Sequence, residues 1–171
     1  MSLQIEINEK FKEALDLVNS GKNVFITGKA GTGKSTLLKV IRDSLDSNYA
    51  VLATTGVAAV NIGGQTIHSF FKFRPDITID KVVKRYRNVR NPEVYKNLQI
   101  LIIDEISMVR ADLLDCVNEF LKIHGPKKNV PFGGVQLIFI GDLYQLPPVV
   151  TYKEREMFES FYESPYFFDS R

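Results

Sequence analysis

Three groups of residues in this sequence of 171 residues have the types and spacing to handle phosphate. The first is Gly28-Lys29-Ala30-Gly31-Thr32-Gly33-Lys34-Ser35, which satisfies G-x-x-x-x-G-K-[ST] at every fixed position. A Gly-rich turn lets successive backbone N–H groups converge on an anion, and a helix starting there adds partial positive charge. Lys34 would reach the β- and γ-phosphates of a nucleoside triphosphate, and the Ser35 hydroxyl would hold Mg²⁺. The expected nucleotide-binding residues are Gly28, Ala30, Gly31, Thr32, Gly33, Lys34, Ser35 and Thr36.

The second group is Asp104-Glu105, directly after the apolar run Ile100-Leu101-Ile102-Ile103. Asp104 would bind Mg²⁺, directly or through water, and complete the metal site with Ser35. Glu105 is placed to polarise an attacking water, a general-base role typically worth roughly 10²–10⁴-fold in rate. Two carboxylates at a strand end can also cap a helix; the phosphate loop is what favours catalysis here. The third group is Gly141-Asp142-Leu143-Tyr144-Gln145-Leu146-Pro147-Pro148-Val149. A neutral side chain such as Gln145 can hydrogen-bond a γ-phosphate or water and lose that bond after hydrolysis, which suits a sensor of nucleotide state. Pro147-Pro148 stiffening a loop, with Gln145 solvated, is the plainer alternative.

These groups need strands and helices in a particular order to hold them. The run Asn23–Thr27 reads as a strand leading into the phosphate loop, followed by a helix with Leu37, Leu38, Val40 and Ile41 at helical spacing, ending near Ser44. Asn8 is placed to cap an earlier helix with Phe11, Ala14, Leu15 and Val18 on its apolar face and Gly21 at its end. Tyr49–Ala53 reads as a second strand running into a turn and a short helix over 54–59, which Gly63-Gly64 interrupts. The continuous run Ile100–Ile103 suits a strand buried on both faces of a parallel sheet. An amphipathic helix over Ala111–His124 and a strand over Val135–Ile140 follow. Strands alternating with helices predict a doubly wound α/β domain with a mainly parallel sheet and ligands at the carboxyl ends of its strands. The phosphate loop and the acidic pair would then face each other from neighbouring strand ends.

Composition sets the remaining bounds. With 44% hydrophobic and 25% charged residues, the chain reads as one domain with a substantial core. No apolar stretch approaches the roughly 20 residues of a membrane span. Met1-Ser2-Leu3-Gln4-Ile5-Glu6 lacks a signal-peptide pattern, so a soluble cytosolic protein is expected. Cys116 is the sole cysteine and falls on the helix over 111–124, which predicts packing rather than chemistry. Net charge is only +2, but eight Lys or Arg lie between Lys72 and Lys96 against three acidic residues. That stretch is either a phosphate-tracking surface or a solvated helix. Phe70, Phe71 and Phe73 could stack on bases, although burial is expected for at least two of them.

Taken in order, GKAGTGKS (28–35), TTGVAAVNIGGQTIHSF (54–70), IIDEISMV (102–109) and GDLYQLPPV (141–149) closely resemble the Pif-one-like DNA helicases, relatives of RecD in superfamily one. SPYFFDS (164–170) is similar to bacterial members of that family, and the resemblance covers nearly the whole chain. It implies a RecA-like phosphate-loop domain of an ATP-driven motor moving 5′→3′ along single-stranded DNA. It implies MgATP on Gly33, Lys34 and Ser35, hydrolysis by Asp104 and Glu105, and Gln145 as the γ-phosphate sensor. Thr55, Gly56, Thr66, His68 and Ser69 match the segments that touch the single strand. Hydroxyls, N–H groups and an imidazole can hold phosphate and sugar without reading sequence; His68 as a hydrogen-bonder locking its own loop is the other reading.

Two departures accompany the resemblance. The family's adenine-reading glutamine falls on Phe11 or Lys12, and Gln4 is displaced from it. A second RecA-like domain, supplying arginines to the γ-phosphate, and a smaller inserted domain do not fit in 171 residues. The expectation is therefore a first motor domain that binds MgATP, hydrolyses it slowly, does not unwind DNA alone, and partners with single-stranded DNA and the rest of a longer helicase. Two other classes share the phosphate loop: a phosphotransferase of the nucleotide-kinase type, and a nucleotide-dependent binding module.

Overall fold

The computed structural model describes residues 9–46 and 48–171. Asn8 and Gln4 lie outside them. Helix α1 (Glu9–Asn19) precedes strand β1 (Val24–Thr27), and the phosphate loop leads into α2 (Lys34–Ser44). Strand β2 (Tyr49–Ala53), α3 (Gly56–Asn61), the short β3 (Gln65–Thr66) and α4 (Ile67–Phe71) follow. Helices α5 (Ile79–Arg85) and α6 (Pro92–Lys96), β4 (Ile100–Ile103), α7 (Ala111–His124), β5 (Gln136–Gly141) and α8 (Tyr152–Glu159) complete the chain. Sequence pattern did not assign β3, α4, α6 or α8, and offered a helix for the stretch holding α5 only as one alternative, because each is too short or too polar to show a clear period.

Among the described residues, five strands form one parallel sheet in the order β1-β5-β4-β2-β3. The chain runs outward from β1 to β2 and β3, then returns through β4 and β5. Because parallel crossovers are right-handed, this reversal puts the connecting helices on opposite faces. Alternate strand residues feed two separate cores. Val51, Ala53, Ile100, Ile102, Ile138 and Ile140 pack with Leu37, Leu38 and Ile41 of α2 and Ala59 of α3. Leu52, Leu101, Ile103 and Leu137 pack with α4, α6 and α7. Both faces of β4 are therefore covered, and all four of its residues are buried.

The return of the chain also corrects one expectation. The phosphate loop and the acidic pair do not leave neighbouring strands, because β5 pairs with β1 on one side and β4 on the other. Two strand spacings place them roughly 10 Å apart, and the end of β5 supplies the residues between. The fold thus brings all three chemical groups to one carboxyl edge, at the reversal where such sheets open a crevice.

Phe70, Phe71 and Phe73 are all buried, so none is available to stack on bases. They join Tyr95 and Phe120 in an aromatic cluster, with Phe71 and Phe73 stacked at 5.3 Å. Cys116 is buried on α7, and burial pushes its thiol pKa up to about 12, which fits packing and excludes a reactive thiolate. No helix among the described residues is long and apolar enough to cross a membrane.

Candidate phosphate-handling site

The phosphate loop joins β1 to α2, and Gly33 caps that helix with φ 89°, a left-handed conformation that favours glycine. A Cβ there would also lie 3.1 Å from the Phe11 ring of α1. The Lys34 ammonium lies across its own loop, donating to the carbonyls of Gly28 at 2.5 Å and Lys29 at 2.9 Å. Thr32 Oγ1 donates to the same Lys29 carbonyl at 2.8 Å. Ser35 and Thr36 open α2, and the Ser35 hydroxyl has no hydrogen bond among the described residues.

Asp104 stands at the end of β4, its N–H donating to the Leu52 carbonyl at 2.8 Å. Glu105 takes a left-handed backbone (φ 53°, ψ 42°), unusual for a residue with a side chain. Its N–H donates to Asp104 Oδ1 at 3.0 Å, which holds the Asp104 carboxylate against the Glu105 backbone. Burial raises the Asp104 pKa, against the Glu105 N–H bond and the nearby Lys34 charge, which lower it. Burial and the Asp104 charge raise the Glu105 pKa; Lys34 pulls it down and Asp142 pushes it further up. These mutual influences place Lys34, Asp104, Glu105 and Asp142 in one electrostatic neighbourhood. The loop and the acidic pair lie on the same carboxyl edge, with the end of β5 between them.

Asp142 is a buried carboxylate at this edge to which sequence reasoning gave no role. It is buried at the end of β5, where Oδ1 accepts the Tyr144 N–H at 3.0 Å and Oδ2 accepts from Gln145 Nε2 at 3.1 Å. Gln145 is therefore tethered rather than freely solvated. An Asp three residues before the glutamine, directly after an apolar strand, was the available signal. Ser107, in the turn after the acidic pair, has a buried hydroxyl with no hydrogen-bond partner among the described residues.

The segments expected at a nucleic-acid strand meet at the same sheet edge. Ala53 pairs with Thr66 across β2 and β3, which sets Thr55-Gly56 beside Thr66–Ser69. Both threonine hydroxyls are engaged as helix caps. Thr55 accepts the Ala58 N–H at 3.2 Å and Thr66 accepts the Ser69 N–H at 3.1 Å. The exposed Gly56 leaves its first-turn N–H open, and a Cβ there would meet nothing within 4 Å. Burial lowers the His68 pKa, so a neutral imidazole is favoured. Its ring makes no hydrogen bond among the described residues.

Among the described residues no cluster of three His, Cys, Asp or Glu could hold a metal. The donor set here, one hydroxyl and one carboxylate beside a phosphate cradle, instead suits Mg²⁺, which takes few protein ligands and shares phosphate oxygens.

Comparison with known proteins agrees with this geometry. The model of the PIF1-like helicase family matches residues 2–167. The chain is 45% identical over 152 residues to the ATP-dependent DNA helicase PIF1 of Candida albicans, covering 85% of this chain and 17% of that protein. It is 38% identical over 159 residues to the ATP-dependent DNA helicase Pif1 of Bdellovibrio bacteriovorus, covering 90% and 35%. A crystal structure of Bacteroides sp. Pif1 in complex with ADP-AlF4 superposes with a TM-score of 0.83 at 39% identity, covering 97% of this chain and 39% of that one. The chain thus spans well under half the length of these relatives. With a RecA-like sheet, four family motifs along one edge of it, and a family match over nearly its whole length, this chain belongs to the PIF1-like helicases.

Proposed function

We propose that this chain is the first motor domain of an ATP-driven DNA helicase that travels 5′→3′ along single-stranded DNA inside the cell. The second RecA-like domain and the inserted domain would lie elsewhere in the full-length protein. The observation that carries the proposal is the convergence of the phosphate loop after β1, Asp142 after β5 and Asp104-Glu105 after β4 on one carboxyl edge of the sheet.

In this reading the loop N–H groups from Gly28 to Ser35 and the start of α2 at Thr36 cradle the ATP phosphates. The Lys34 ammonium exchanges its two loop carbonyls for β- and γ-oxygens, which are stronger acceptors. Ser35 and Asp104 would hold Mg²⁺, which would supply neutralisation of charge developing on the phosphates. Glu105 accepts the proton of the attacking water, and its raised pKa brings it closer to the operating pH, as proton transfer requires. Gln145, tethered by Asp142, hydrogen-bonds the γ-phosphate or the water and is released after cleavage. Thr55, Gly56, Thr66, His68 and Ser69 lie at the same edge, so a change at the nucleotide is transmitted over a short path to the strand. Their contacts go to phosphate and sugar, which gives movement without sequence preference.

An arginine supplied from outside the domain is worth roughly 10³–10⁵ in turnover. The chain alone should therefore bind MgATP and hydrolyse it slowly. The test compares ATP turnover, with and without single-stranded DNA, for this chain and for the full-length protein. DNA-stimulated turnover in the full-length protein alone is expected. Phosphoryl transfer to any nucleoside monophosphate, or DNA-independent turnover that Glu105→Gln leaves unchanged, overturns the reading.

A further inference from the structure

The basic stretch after α4 is neither uniformly solvated nor uniformly free. Lys81 pairs with Asp76, Lys84 with Asp80 and Lys96 with Glu93. Lys72, Arg85 and Arg90 form no ion pair or side-chain hydrogen bond among the described residues. These three line one cleft of about 630 Å³, together with the amides of Gln65, Asn88 and Asn91. None of the residues lining it is acidic. Three cations without an ion-pair partner among the described residues, gathered into one cleft from positions 72, 85 and 90, create a field that attracts a polyanion.

The cleft is also held rigid. The Tyr86 hydroxyl donates to the Lys72 carbonyl at 3.0 Å, and the Tyr95 hydroxyl donates to the Phe70 carbonyl at 2.8 Å. His124 of α7 contributes too, because its Nε2 lies 2.5 Å from the Tyr86 carbonyl oxygen. Its walls are therefore fixed to the aromatic core, while the long cationic side chains on the rim stay unpaired. Its position matters as much as its charge. Gln65 directly precedes Thr66, and Lys72 is the C-cap of the helix that Thr66 caps at its other end. At 1.5 Å per residue, Lys72 lies only about 9 Å along α4 from the strand-contacting edge.

We propose that this cleft is a second nucleic-acid subsite, in which Lys72, Arg85 and Arg90 hold phosphodiesters of the same single strand as it leaves the Thr66–Ser69 edge. The inference rests on the DNA-track reading above and extends it past α4. The amides of Gln65, Asn88 and Asn91 meet sugar and base edges without demanding a sequence.

The test uses this chain with oligothymidylates of increasing length, measuring binding by fluorescence anisotropy across a salt series. The variant Lys72→Gln/Arg85→Gln/Arg90→Gln alters exposed side chains only, and Lys81→Gln/Lys84→Gln serves as a control that removes two ion-paired charges from the neighbouring α5. Each phosphate contact on a single strand contributes roughly 0.7 to the slope of log K against log salt, so loss of three lowers it by about 2. That loss should appear for long strands, be absent for the shortest that bind, and be absent from the control. An unchanged slope in the triple variant overturns the cleft but leaves the DNA-track reading standing. Failure of the unaltered chain to bind strands of any length overturns both. If the triple variant loses affinity for free thymidine monophosphate while keeping its oligonucleotide slope, the cleft is a mononucleotide site and the proposal fails.

Discussion

Gln145 donates its side-chain amide to the buried carboxylate of Asp142 at 3.1 Å, and the same carboxylate accepts the Tyr144 N–H at 3.0 Å. Asp142 thereby fixes both the backbone of the loop and the reach of the glutamine. Because Asp142 also raises the pKa of Glu105, one buried acid influences Gln145 and Glu105 together.

Asp142→Ala should leave Gln145 and the Tyr144 N–H without their acceptor, costing about 1–3 kcal/mol of stability. In the full-length protein turnover should fall by roughly tenfold or more through kcat, with KM for ATP little changed, since an untethered glutamine no longer responds to the γ-phosphate. Thermal melts and steady-state kinetics check the two halves separately. An effect confined to KM would show that Asp142 shapes binding instead.

Asp142→Asn removes a like charge from the surroundings of Glu105. The acid limb of the pH–rate profile should lie above the usual glutamate range in the unaltered protein and shift to lower pH in the variant, because the ionised base is better tolerated. A shift to higher pH would contradict the placement of these carboxylates.

Glu105→Gln should abolish DNA-stimulated hydrolysis while keeping nucleotide binding. It should also stabilise the fold at neutral pH. The folded-state pKa of Glu105 is raised, so its contribution to stability is fullest in acid and declines as pH rises through that value. The gain in Tm should therefore shrink as pH falls below the carboxylate range, which paired melts at neutral and acidic pH would detect.

Lys34→Ala removes an ammonium that donates to two loop carbonyls and offsets the charge on Asp104 and Glu105. Charged hydrogen bonds contribute about 1.5–3 kcal/mol each, so affinity for MgATP should fall by roughly tenfold to several hundredfold. Calorimetric titration measures this directly, and retention of affinity would refute the phosphate-cradle assignment.

Gly64→Ala and Gly56→Ala should behave oppositely. A Cβ at Gly64 would sit 2.3 Å from the Val51 carbonyl oxygen, so the turn into β3 must shift. A loss of about 1–3 kcal/mol or more is expected. At Gly56 a Cβ meets open space in the first turn of α3, so thermal stability should hold or rise slightly. Any loss there would appear in DNA affinity instead, if the strand approaches that backbone closely.

Local chemistry was enough to read the phosphate loop, the acidic pair and the alternation of strands and helices. A loop that converges N–H groups on phosphate requires glycine at fixed places, and a strand covered on both faces requires an unbroken apolar run such as Ile100–Ile103. Burial of Cys116 was legible for the same reason, from its place on an amphipathic helix. Short or polar elements carry no such period, which is why β3 and α6 emerged only with their packing partners. Strand order, too, depends on which connection crosses which face, and no local pattern records that β5 enters between β1 and β4. Only that insertion gives Asp142 its place between the loop and Glu105, and only tertiary packing separates Lys72, Arg85 and Arg90 from the basic residues neutralised by local partners. Backbone geometry is written into nearby residues, whereas the electrostatics of this edge arise from side chains that meet across long stretches of chain.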